Sequence, residues 1–191
     1  MAELLLVFIG AYAAFWLSNY QERREERHRH DQILAALESE VTQAIANATE
    51  ERTNAVHSLT EFRRALNAGE MPRLGTFSFV TDYSATDTAT LLESGGYQLL
   101  DIKTITALRK VESVLRGGLS NINHIERLSD ELIAPNLDQG TDFFYDPATK
   151  KLRRRFAHYP DALESLVKFW DNFIAAEKDL LQQLHAERHR N

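Results

Sequence analysis

Between Gln21 and Ala68 the chain contains neither proline nor glycine, and its apolar residues return every three or four positions. The series is Leu34, Leu37, Val41, Ala44, Ala48, then after one gap Ala55, Leu59, Phe62 and Leu66. That spacing stacks apolar side chains on one helical face and predicts a single long amphipathic helix. At 1.5 Å per residue it would reach about 70 Å, more than a small bundle can cover. Its first turns are rich in arginine and glutamate, so residues 21–33 read as a charged helical stalk. Gly69 and Pro72 end the helix.

Upstream of the stalk, Leu4 to Leu17 reads LLLVFIGAYAAFWL, without a charge or an amide. That is roughly 21 Å of helix against a hydrocarbon core of about 30 Å. Adding Met1–Glu3 and Ser18–Tyr20 brings residues 1–20 near the span of a transmembrane helix continuous with the stalk. A buried core helix, the competing reading, would show a polar stripe. This run shows none and changes abruptly to Gln21-Glu22-Arg23-Arg24-Glu25-Glu26-Arg27. A signal peptide would need a basic start, where this chain has Glu3. Trp16 and Tyr20 suit the headgroup layer. Gly10 and Ala14 form a small-xxx-small pair of the kind that lets membrane helices pack closely. Glu3 is a candidate interface acid, or in an oligomer a pore-mouth acid. Arg23, Arg24, Arg27 and Arg29 follow the span, which favours a cytoplasmic position for what comes after.

The remainder predicts a mainly all-α fold, an antiparallel helical bundle over residues 34–191 with one small β-hairpin. Leu74–Tyr83 alternates like an extended crossover, and a short helix is expected from Thr86 to Ser94, stopped by Gly95-Gly96. Asp101 is a candidate N-cap for a second long helix. Its stripe runs from Ile102 through Leu108, Leu115 and Ile122 to Leu132, and Pro135 closes it. Gly117-Gly118 inside it marks a close helix crossing or a mild kink. Asp142 to Phe156 has two apolar flanks around Asp146-Pro147-Ala148-Thr149, the chemistry of a hairpin turn. Its basic group Lys150, Lys151, Arg153, Arg154 and Arg155 is a candidate patch for anionic lipid or an acidic partner. A last helix starts near Pro160 and carries Leu163, Leu166, Trp170, Phe173 and Leu184.

Composition narrows the chemistry. There are no cysteines, so disulfides and thiolate sites are excluded. The net charge of -6, with both signs interspersed, argues against nucleic acid as a partner. No phosphate loop or nucleophile elbow occurs. His185 and His189 sit one turn apart on an expected exposed terminus, and His28 and His30 fall in the stalk, so both pairs read as solvated. His124 reads as a hydrogen-bonded core histidine. No catalytic residue, metal site or cofactor follows from the sequence.

Two segments carry a resemblance. Glu3-Leu4-Leu5-Leu6-Val7-Phe8-Ile9-Gly10, Ala14 and Ser18-Asn19-Tyr20-Gln21-Glu22 resemble the start of a large bacterial family of uncharacterised single-pass membrane proteins, a domain of unknown function. Ala89 to Leu99 is similar to that family's short helix, Ser-Gly and return to an apolar pair. Tyr20 stands where the family usually has tryptophan and Gln21 where it often has asparagine. The family's basic stretch before the membrane helix is not seen ahead of Leu4. The resemblance covers about the first 110 residues and implies a bacterial inner-membrane protein with a helical domain, without an assigned activity. Together these features lead to the expectation of a non-enzymatic, membrane-anchored interaction or sensor module. It would associate with itself and with the lipid bilayer, and also with another membrane or soluble protein. The alternative is a homo-oligomeric pore with the bundle as its collar.

Overall fold

The computed structural model describes residues 2–77 and 95–190, with side chains from Trp16 onward. The fold is all-α. Helix α1 runs unbroken from Ala2 to Asn67, 66 residues or about 99 Å. It ends in the glycine motif that the sequence predicts. Gly69 takes a left-handed φ of 72°, its N–H donates to Leu66 O, and Glu70 N–H donates to Ala65 O. These two bonds satisfy carbonyls that the helix end would leave unpaired. Helix α2 spans Ile102–Leu132 and α3 spans Tyr159–Arg188, with Pro160 in its first turn.

Helix α3 is the centre of the bundle. It runs antiparallel to α1, as the pairs Arg188–Glu38, Arg52–Asp171 and Arg63–Glu164 show. It is antiparallel to α2 as well, with Lys110 paired to Asp179 and Gly118 against Phe169. Helices α1 and α2 are therefore parallel to each other, so residues 68–101 must return the chain from one end of the bundle to the other. The main core lies between the three stripes and includes Leu34, Val41, Ile122, Trp170, Phe173 and Leu180. Gly118 is the close crossing: a Cβ there would sit 1.9 Å from the Phe169 ring. Gly117 meets nothing within 4 Å and has no such packing role.

A second cluster closes the distal end, where α1 stops. Leu59 and Phe62 of α1 join Leu74, Ile133, Phe144, Tyr145, Phe156, Tyr159 and Leu163. The β-hairpin expected over Asp142–Phe156 does not form. Thr141–Phe144 winds into one helical turn, Arg154–Phe156 into a 3-10 turn, and a single antiparallel bridge joins Tyr145 to Leu152. In a strand Phe143 and Phe144 would point to opposite faces. The helical turn instead lets both rings reach Phe156, at 5.9 and 5.0 Å. The turn between the flanks does use the expected residue: Asp146 Oδ1 accepts the N–H groups of Ala148 and Thr149.

Asp101 occupies the N-cap position of α2, yet its side chain makes no capping bond. The short helix expected at Thr86–Ser94 and most of the crossover expected at Leu74–Tyr83 lie outside the described residues. Among the described residues no helix is long and apolar enough to cross a membrane. Of the apolar run Leu4–Leu17, only Trp16 and Leu17 have described side chains.

Candidate functional site at the base of the bundle

The buried face of α1 begins at His30. Trp16, Leu17 and Tyr20 are exposed, as is every residue from Gln21 to Arg29. Trp16 and Tyr20, one turn apart, stack with ring centroids 6.0 Å apart. At His30, α1 enters the bundle and meets the N-terminus of α2 and the C-terminus of α3.

Glu187 organises this junction. It is 1% exposed, and its carboxylate receives three contacts, one from α1 and two from the start of α2. His30 Nε2 of α1 lies 2.9 Å from Oε1, Thr104 Oγ1 of α2 donates to Oε2 at 2.5 Å, and the Asp101 N–H donates to Oε1 at 3.0 Å. The first N–H groups of a helix have no partner within it. For α2 one of these, the Asp101 N–H, is met by a carboxylate from another helix, which also suits the positive end of the helix dipole. Asp101 is thereby released to pair with Arg190. Glu38 of α1 adds an outer link, with Arg188 at 2.5 Å and His185 at 4.0 Å.

Two sequence expectations change at this junction and along α2, and a third changes in part. His30 is not solvated with His28 but 9% exposed and bonded to Glu187. The C-terminal turns of α3 leave His185 and His189 exposed as expected, but they also bury Leu184 and Glu187. His124 is not a core histidine: it is exposed and bonded to Arg127. The available signal was periodicity. His30 lies four residues before Leu34 and Glu187 three after Leu184, so both extend apolar stripes. An ionisable residue on a buried stripe needs a partner.

The basic group lies at the opposite end. Arg153 Nε donates to Tyr145 O and its guanidinium to Asp142 O, each at 3.0 Å. Arg155 stacks over the rings of Phe143 and Phe156, at 4.1 and 4.7 Å. These two arginines hold the loop together, while Lys150, Lys151 and Arg154 stay exposed. Phe62, which shares the distal cluster, is about 60 Å along α1 from Tyr20. Glu3, Gly10 and Ala14 lie in α1 but outside the described side chains.

Two other features bear on chemistry. Glu177 of α3 is 5% exposed and its Oε2 has no hydrogen-bond partner. Burial pushes its carboxyl up to about 7. A shallow distal groove of about 370 Å³ is lined by Phe62, Ala65, Pro72, Arg73, Tyr159 and Leu163. It opens broadly to solvent and offers no water-excluded chamber for catalysis. Among the described residues no group of three or more histidines and carboxylates is placed to hold a metal ion. No family model, curated protein or solved structure matches the chain.

Proposed function

We propose that this protein is a non-enzymatic, membrane-anchored interaction module of the sensor type. Residues 1–20 enter the inner membrane of a bacterium, and the bundle stands on the cytoplasmic side. The observation that carries this reading is the continuity of α1, one helix from the apolar N-terminal run to the core of the bundle. One continuous helix links the two ends, so on this reading an event at one end reaches the other through α1. The exposed Trp16–Tyr20 stack sits where an interfacial aromatic belt would be, and the arginines beyond it fit the positive-inside rule.

Self-association is assigned to Gly10 and Ala14 in lipid rather than to the stalk. Continued toward the N-terminus, the stripe of Leu37, Leu34 and His30 meets Arg27 and Arg23. A parallel seam on that stripe would set like charges against each other. The exposed Lys150, Lys151 and Arg154, far along α1 from Tyr20, suit an acidic protein partner better than the same bilayer.

The test is the mass of the full-length chain in lipid nanodiscs, preceded by an alkaline carbonate wash of expressing membranes. The expected result is retention in the membrane and a mass of two or more copies, reduced to one by Gly10→Leu. Release by the wash overturns the anchor, and a single copy in lipid overturns self-association.

A further inference from the structure

We infer that the His30–Glu187 contact is a proton-operated latch that ties the exit point of α1 to the N-terminus of α2 and the C-terminus of α3. The inference rests on the geometry of the junction and holds whether or not residues 1–20 enter a bilayer. One carboxylate joins all three long helices, and the donors it receives differ in kind. Thr104 Oγ1 and the Asp101 N–H donate at every pH, whereas the imidazole of His30 can carry a proton or lose it. With the imidazole charged, a buried carboxylate meets a buried cation at 2.9 Å, a charge-assisted bond roughly twice as strong as a neutral one. With the imidazole neutral, the bond between His30 and Glu187 loses its charge assistance. Glu187 then holds α1 less tightly, while the cap on α2 remains.

The neighbouring charges leave this contact as the variable one. On α1, Asp31 lies 3.8 Å from His30 Nδ1. Glu38 on the same helix is engaged by Arg188 and faces His185 of α3. At the start of α2, Asp101 is engaged by Arg190. The arginines stay charged at all accessible pH, whereas His30 and His185 carry imidazoles, the side-chain type that can take up or release a proton. His185 faces Glu38 at 4.0 Å and is exposed. The consequence is directional. Acid fastens α1 to the base of the bundle, and base loosens it at residues 28–34.

Amide exchange of the full-length chain, followed by mass spectrometry and corrected for intrinsic rates, tests this. From pH 5.5 to pH 8.5, protection in residues 28–34 is expected to fall roughly fivefold, with residues 102–107 and 143–156 unchanged. In His30→Gln the fall disappears. Glu187→Gln, which keeps an acceptor oxygen but not the charge, loses it too and serves if His30→Gln does not fold. A flat wild-type profile overturns the latch, as does a fall that persists in His30→Gln. A fall abolished by Glu177→Gln or His185→Gln overturns it as well, by assigning the effect to another group.

Discussion

The two ends of the bundle are held together by opposite materials. At the distal end α1 stops, and the loops that close the bundle are held by aromatic rings and tyrosine hydroxyls. Tyr145 donates to Pro72 O at 2.7 Å, Tyr159 accepts from Gly75 N–H at 3.0 Å, and both phenols are pushed above their ordinary values by burial. At the base α1 does not stop. It passes through, and the junction around it is held by Glu187 and ion pairs instead. An apolar lid makes a permanent closure. A polar junction around a continuing helix can be opened, since its bonds exchange with water at modest cost.

The comparison predicts that the distal end is the stiffer of the two and carries more stability per residue. Phe156 is 1% exposed and within about 6 Å of two other rings, so Phe156→Ala should cost more stability than any single change at the base. We expect about 3–5 kcal/mol in chemical denaturation. In amide exchange the damage should begin at residues 143–156, with the first turn of α2 retaining its protection. Simultaneous loosening of both ends would mean that they form one cooperative unit and that the contrast between them is only chemical.

How much of this was legible in the residues follows the same division. The helices were, because the step of three and four in Leu34–Leu66 and Leu163–Leu184 needs no tertiary information, and the Gly69 terminus and Pro160 start are local chemistry. The crossing at Gly118 was legible as one of two readings. The distal loop was not: alternation and Asp146-Pro147 describe a hairpin well, and only the shared demand of Phe143 and Phe144 for the Phe156 ring turns the first flank helical. The base was not legible either. His30 looks like one more polar residue after Arg29 until it is seen that α3 reaches back far enough to put Glu187 beside it.

A smaller effect tests whether charge inside the bundle belongs only to the base. Glu177 lies in α3 among core residues, without a partner for Oε2. Its carboxyl is raised to about 7 by burial, so the folded state holds a proton that the unfolded state has released. Stability from this group is therefore full below the unfolded value near 4.5 and is lost as pH rises through about 7. Glu177→Gln should remove that slope and stabilise the protein at pH 8 by about 2 kcal/mol, less than the full shift implies because the core relaxes. At pH 4 wild type and variant should be nearly equal. An equal gap at both pH values would show that the residue's size, not its ionisation, sets the effect.

The smallest expected effect lies in the distal loop and has the opposite sign in pH. Asp146 is exposed, and the N–H groups of Thr149 and Ala148 hold its carboxyl below the usual range. A lowered value means stability that is present above about pH 4 and lost as pH falls through the folded value. Acid should therefore raise exchange at the amides of Ala148 and Thr149 while, by the latch argument, it tightens residues 28–34. Asp146→Asn keeps an acceptor and should make the loop insensitive to acid. Asp146→Ala should leave both amides open at every pH. Should those amides stay protected in Asp146→Ala, the turn is held without them, by the Tyr145–Leu152 bridge and the Arg153 bonds to Tyr145 and Asp142. In that case the distal end owes nothing to charge on an acid, and the contrast with the base is sharper than the structure alone makes it.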